Sequence, residues 1–401
     1  MNISHNETYL KIEILSNGVV FSDSALRYAL QVGAKVQNNI YNRPKGASLL
    51  RPQELLIEYG GYETVVSCIS PLSSRDPVEI DYQNHRLYVK NRLLIDGVSI
   101  SFVLEPDYYK RILSTGEKVT KYVSSCGYDE LNIIPWKGCA INQTCSFCGV
   151  NTVARTANAY DDARSISNDI QLWLNHEGYY ISSLKEAISI ALQDEVFNHH
   201  AHVILISGNL SDELLNVQSE IYSRISSAIL PDISNKSSEG LIAVMAPPHD
   251  EAHLALLKQS GIKIVVFNLE TATLATNQVH TPGKLSIHKD YYHDRLLSAV
   301  SYFGKGNVWS NFVLGLDPLN DLLETCDRLL SMGIVPSTNI LHMDEGSYVA
   351  QLVPTADMII NFSLSFNHLL KQYGYKPYYC SKALRTSLTN EAYENRIVFC
   401  D

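Results

Sequence analysis

Long apolar runs are missing from this chain of 401 residues. Its most apolar stretches, such as Ile262 to Leu269, fall far short of the ~20 residues that span a bilayer, so no membrane segment is expected. The opening residues Met1 to Thr8 carry neither a basic n-region nor an apolar h-region, and no secretory signal is read there. Positive charge is scarce: Lys and Arg total 32 against 42 Asp and Glu, a formal net charge of −10 with no basic cluster. That balance argues against a broad nucleic-acid or anionic-membrane surface. Cysteine is sparse as well, eight in all, which excludes a disulfide scaffold. Cys68, Cys126, Cys326, Cys380 and Cys400 are scattered and read as small core residues of a protein in the reducing cytoplasm. Disorder is excluded too, since 45% hydrophobic and 18% charged content suits a globular chain with one large domain and a smaller one.

What remains conspicuous is a run of three cysteines, Cys139, Cys145 and Cys148, between Gly138 and Gly149. Three thiolates this close can hold a cubane iron–sulfur cluster and leave its fourth iron without a protein ligand. An open iron binds a small molecule, so the spacing points to chemistry and not only to structure. Zinc is the competing occupant: Cys145 and Cys148 have zinc-like spacing, with Cys126 or a water completing the set.

The pattern around the run changes at about residue 126. Before it, Tyr9–Leu15, Glu54–Ile57, Glu63–Ser67, Arg86–Val89 and Val98–Leu104 read as strands separated by Asn-Gly, Gly-Gly and Asp-Gly turns. Residues 1–125 are therefore expected to form a β-rich accessory module with some helix near Ser24–Val32. From Tyr128 onward six strands alternate with helices: Glu130–Pro135, His202–Ser207, Gly240–Ala246, Lys263–Leu269, Asn307–Leu314 and Ser337–Met343. The helix over Asp212–Ala228 is expected to take Ser211 as its N-cap. Such alternation implies an α/β fold with parallel strands and right-handed crossovers. The expected architecture is a partial (β/α)6 barrel over 126–350, followed by a C-terminal helix and tail over 351–401. The cysteine loop, 139–148, follows the first barrel strand and so falls on the rim where such folds place their chemistry. An insertion over 150–181 is a candidate lid, and the tail after Lys376 carries no visible signal.

With these residues in view, the chain resembles the radical S-adenosylmethionine (AdoMet) enzymes, which carry a three-cysteine loop after the first strand of a partial β/α barrel. Their usual first gap is three residues, and here it is five. The second gap of two, with Phe147 before the last cysteine, matches. Ser207-Gly208-Asn209 stands where that family has a Gly-Gly-Glu segment. Phe267-Asn268-Leu269-Glu270-Thr271 is similar to a run in biotin synthase and methylornithine synthase, and Asn311 to Asp317, with Gly315, to the family's glycine-bearing strand beside the adenine. Gly333 to Pro336 also fits, and the resemblance covers roughly residues 125–350. The longer first gap occurs in a minority of the superfamily that includes hydrogenase-cofactor maturation enzymes.

The resemblance implies a [4Fe–4S] cluster on Cys139, Cys145 and Cys148, with AdoMet cleaved there to a 5′-deoxyadenosyl radical. It implies AdoMet contacts from Phe147, Ser207, Gly208, Asn209, Asn268, Glu270 and Gly315. It further implies a small-molecule substrate in cofactor or specialised-metabolite biosynthesis, and an electron donor such as flavodoxin or ferredoxin. Polar residues at other strand ends, His249, His342, Asp344 and Glu345, are candidates to touch the substrate. A peptide substrate, or a non-enzymatic zinc or cluster-binding module, are the alternatives.

Overall fold

The computed structural model describes residues 3–36, 51–136, 138–141, 143, 145–150, 170–197, 200–237, 239–285, 289–342, 349–377 and 384–400. The first element is the helix Glu7–Asn17, not the strand expected over Tyr9–Leu15. The Asn6 side chain caps it by accepting the Thr8 and Tyr9 N–H groups, each at 3.1 Å. Leu10, Lys11, Ile12, Ile14 and Leu15 are all buried. A helix covered on nearly every side shows no apolar stripe, so its 3.6-residue period is invisible in the sequence.

Two small sheets follow. Strands β1 (Val19–Phe21), β4 (Val78–Gln83) and β5 (Arg86–Val89) form one. Strands β2 (Glu54–Tyr59), β3 (Tyr62–Ser67) and β6 (Ser99–Phe102) form the other.

The large sheet has seven strands in the order β13-β12-β11-β10-β9-β8-β7. It begins with an antiparallel hairpin of β7 (Val123–Cys126) and β8 (Glu130–Ile133). Five further strands then add in parallel and in chain order: β9 (His202–Ile206), β10 (Leu241–Val244), β11 (Ile262–Val266), β12 (Val308–Leu314) and β13 (Ile334–Ile340). Helices such as Glu177–Ala191, Leu215–Ile233 and Leu319–Met332 make the crossovers. The result is the partial (β/α)6 barrel, with β7 as an added antiparallel edge.

The last strand starts earlier than expected and includes Pro336. A proline without an N–H is tolerated there because β13 is an edge strand. Ser211, expected to cap the second crossover helix, makes no side-chain capping bond; a turn of 3₁₀ helix over Asp212–Leu214 leads in instead.

The tail has a structural task that the sequence does not advertise. The Ile340 N–H donates to the Thr386 carbonyl at 2.7 Å, and the Ser67 N–H donates to the Arg385 carbonyl at 3.0 Å. Residues 385 and 386 thus link edge strand β13 to the N-terminal β3. Arg385 donates to Glu54 Oε1 at 2.8 Å, while Lys35 Nζ lies 3.2 Å from Glu54 Oε2. A second pair, Lys11 and Glu391, meets at 2.8 Å with both side chains fully buried. Lys11 also donates to the Thr64 hydroxyl at 3.0 Å and the Leu384 carbonyl at 2.8 Å. Among the described residues no helix is long and apolar enough to cross a membrane.

Removing one member of a buried pair strands the other charge, at a cost of about 3–5 kcal/mol. Glu391→Ala is expected to lower unfolding stability by that amount in denaturant titration, and a loss under about 1 kcal/mol would show that the pair does not anchor the tail.

Candidate metal and cofactor site

Side chains from the barrel strands and from the loop after β8 enclose a cavity of about 390 Å³. Cys139, Cys145, Cys148, Phe147, Ser207, Gly208, Asn209, Asn268, Glu270 and His342 all line it. Folding therefore gathers around one cavity residues that stand as far apart in the chain as Cys139 and His342.

The cysteine loop is held by its backbone. The Ala140 N–H donates to the Asn209 carbonyl at 2.8 Å, and Trp136 Nε1 donates to the Gly208 carbonyl at 2.7 Å. On the far side, the Ser146 N–H donates to the His280 carbonyl at 2.9 Å, and the Ser146 hydroxyl lies 2.8 Å from His280 Nδ1. Two glycines permit this approach. A Cβ on Gly208 would sit 2.1 Å from the Gly138 carbonyl oxygen, and one on Gly283 would sit 2.2 Å from that of Gln143. Neither space admits a side chain.

The Ser207 and Asn209 side chains are engaged elsewhere. The Ser207 hydroxyl is 2.8 Å from that of Tyr222, and Asn209 Oδ1 accepts the Ala246 N–H at 2.7 Å. This segment contributes to the loop through its backbone carbonyls. Asn268 Oδ1 likewise accepts the Asn311 N–H at 3.0 Å.

Glu270 has a left-handed backbone, φ +68°, and bridges to Phe312 of β12. A non-glycine residue in that region marks a site where the surroundings enforce the conformation. Its carboxylate receives Lys284 Nζ at 2.8 Å, and the same ammonium donates to the Asn268 carbonyl at 2.8 Å. Lys284 comes from the short helix Pro282–Leu285. Burial opposes its charge, but Glu270 first, then Tyr292 and Cys145, outweigh burial and hold it protonated. Nothing in the sequence distinguishes Lys284, because its partners are assembled only by the fold.

The donor chemistry fits a metal cluster. Burial pushes the Cys145 thiol up to about 12, against the pull of Lys284, and pushes Cys148 up as well. Coordination is what would ionise such thiols, releasing protons. Among the described residues, the three sulfurs do not form a set all within 4.8 Å of one another. A single tetrahedral zinc would hold thiolates about 3.8 Å apart, whereas a cubane spreads its ligands over separate irons.

Other expected residues lie elsewhere. Gly315, φ +118°, ends β12 outside the cavity lining, where a Cβ would meet the Leu352 carbonyl oxygen at 2.6 Å. His249 is also absent from the lining; its Nε2 lies 2.8 Å from the Asp212 carbonyl oxygen. Asp344, Glu345 and most of the insertion, 151–169, fall outside the described residues. The described end of the insertion packs Trp173 edge-on to Trp136, with Trp173 Nε1 donating to the Pro135 carbonyl at 3.2 Å.

Sequence reasoning missed most of the inner wall. Glu130, Asn132 and Arg385 line the same cavity beside Cys126, the residue weighed as a further zinc ligand, and Asn132 Nδ2 lies 3.4 Å from Cys126 Sγ. Glu54 reaches Arg385 from behind that wall; burial raises its carboxyl, but Lys35 and Arg385 together leave it below its ordinary value. Burial raises the Glu130 carboxyl to about 7, more than its Asn132 hydrogen bond and Arg385 lower it.

No known family profile matches the chain. A curated relative is the bacteriochlorophyllide c C-7(1)-hydroxylase of Chlorobaculum limnaeum, 30% identical over 132 residues. That match covers 32% of this chain and spans only 30% of the hydroxylase's length. Among solved structures, the FeFe-hydrogenase maturase HydG from Carboxydothermus hydrogenoformans aligns over 61% of this chain and 52% of its own, at 14% identity and a TM-score of 0.41. A second HydG structure aligns over 64% of this chain and 50% of its own, at 13% identity and a TM-score of 0.36. The hydroxylase match thus joins the chain to that enzyme over less than a third of either protein.

Two outcomes test this geometry. Gly208→Ala is expected to keep a cooperative melt yet lose most reconstituted iron, because the loop must move; full iron retention would show that the approach is not needed. Glu130 titrates higher folded, at about 7, than its ordinary 4.5. Its contribution to stability is complete below about pH 4.5 and is lost as pH rises through 7. Glu130→Gln should therefore gain stability over the parent protein across that window in melts at several pH values. A difference constant with pH would place Glu130 in a wetter setting.

Proposed function

We propose that this chain is a radical AdoMet enzyme acting on a small molecule. The observation that carries the reading is the convergence of Cys139, Cys145 and Cys148 with Gly208, Asn268 and Glu270 on one cavity at the strand ends. A [4Fe–4S] cluster on the three thiolates, with AdoMet on its open iron, would supply one-electron cleavage of the sulfonium and a 5′-deoxyadenosyl radical.

The chain's own residues bind, orient and insulate. Cys139, Cys145 and Cys148 give up their Sγ protons on ligation. Lys284, kept cationic by Glu270, places a buried positive charge near Cys145, where it offsets the negative charge of a thiolate set. Phe147 packs with Val313, Leu316, Leu341, Val349 and Val353, an apolar patch suited to the flat face of an adenine. Asn268 and Glu270, on the loop after β11, are the acceptors proposed for the ribose or amino groups. The carbonyls of the Ser207–Asn209 segment are proposed for the methionyl end. Val244, Val266, Ile204 and Ile206 give the cavity apolar walls that exclude water. His342 stands on the lining as a proposed substrate contact.

Small-molecule chemistry is supported by the hydroxylase, whose name specifies a bacteriochlorophyllide. The electron is proposed to come from an external donor of the flavodoxin or ferredoxin kind.

The test is anaerobic reconstitution with iron and sulfide, reduction, and assay of 5′-deoxyadenosine formed from AdoMet. Cys145→Ala is expected to abolish product. Glu270→Ala is expected to weaken AdoMet binding by about tenfold, the loss of one charged hydrogen bond. Tight zinc in place of iron, with no AdoMet affinity, would replace this reading with a metal-stabilised binding module.

A further inference from the structure

The end of the barrel opposite the cysteine loop carries a second cluster of ligand-type side chains. His200 and His202 flank Ala201 at the entry to β9, and Glu239 stands two residues before β10 begins. The two strands are parallel neighbours in register, Val203 beside Leu241. Their starting ends therefore bring the three side chains together, and one ligand atom from each lies within 4.8 Å of the others. His200 Nε2 and Glu239 Oε2 are 3.1 Å apart.

We propose that His200, His202 and Glu239 bind a divalent zinc-like ion that clips the start of β9 to the start of β10. Two imidazoles and one carboxylate are a zinc donor set, and bonds of about 2.0–2.2 Å put neighbouring ligands roughly 3.4 Å apart. The His200–Glu239 separation, 3.1 Å, is close to that span. No two of the three ligand atoms are more than 4.8 Å apart, so the widest pair closes by at most about 1.4 Å. His202 is fully buried and is held neutral, at about 3, by that burial and by His200 beside it. A neutral imidazole is the ligating form. His200 and Glu239 keep 30% and 16% of their side chains exposed, which leaves the fourth position to water.

The loop is set for this role on both sides. The Ala201 N–H donates to the Lys236 carbonyl at 2.9 Å, and the His202 N–H donates to the Asp129 carbonyl. A metal here stands where strands begin, the face of a barrel that serves stability and not chemistry. It is independent of the cluster proposed on the cysteines.

The experiment uses the full chain with its cysteine site already loaded with iron and sulfide. Zinc ions alone are titrated against a competing chelator, and zinc per chain is counted beside iron. X-ray absorption at the zinc edge then reads the ligands. The expected result is one zinc per chain with a nitrogen and oxygen shell. Glu239→Gln, at a partly exposed position, and His202→Ala should each weaken zinc by at least about tenfold while iron is unchanged. Chelation of the zinc from the parent protein should lower its melting temperature. A zinc count near zero, unchanged affinity in Glu239→Gln, or a sulfur-containing shell would each overturn the proposal and leave an ordinary His–Glu contact.

Discussion

Glu54 is the charge around which the molecule closes. An open sheet of six parallel strands leaves a gap between its first and last strands, and a cavity with an open side cannot exclude water. Here the residues that run past β13 near Thr386 line the cavity, and they are fixed there because Arg385 reaches Glu54 on β2. Lys35 holds the other carboxylate oxygen, Oε2, while the Gly127 N–H, from the turn of the β7–β8 hairpin, donates to Oε1 at 3.3 Å. One buried carboxylate thus joins the N-terminal module, the hairpin and the tail. Its desolvation cost is large, so it is tolerated only with all of these partners present. Breaking the arrangement would open the cavity as well as weaken the fold.

The cysteine loop depends on the same economy of contact, expressed through backbone. Its described residues lie in no helix or strand, so their placement is imposed by neighbours: the carbonyls of residues 208 and 209 on one side and His280 on the other. Glycine at 208 is what lets two pieces of main chain touch, and helix Pro282–Leu285 brings Lys284 to the loop at the same time. The positive charge that would balance the cluster is delivered by the element that also supports the loop. The proposed metal clip at the strand starts is separate, and it would stiffen the barrel from the other end.

Much of the barrel was legible because its signals are local. The parallel strands β8 to β12 are largely apolar and are followed within a few residues by Gly, Asn or Pro, and buried strands announce themselves in that way. Gly333 caps Leu319–Met332 in the left-handed conformation, as a glycine at that position suggests. The three cysteines, Phe147 and the Asn268 to Thr271 run were visible for the same reason: they are short and sit at strand ends. The helix Glu7–Asn17 was not legible, because burial all round erases the period that marks a helix. The tail was illegible because Arg385 and Glu391 look like solvated surface charges until their partners, more than three hundred residues away, are known.

By itself, then, the sequence determined the strand and helix alternation, the position of the cysteine loop after the first barrel strand, and the residue types able to ligate metal there. Those properties depend on neighbours within a dozen or so residues. Tertiary structure alone decided that Lys284 would face Glu270, that Arg385 and Glu130 would line one cavity, and that His200, His202 and Glu239 would converge. Charges and ligands act over a few ångströms in space, and for these residues only the closing of the barrel turns distance along the chain into contact.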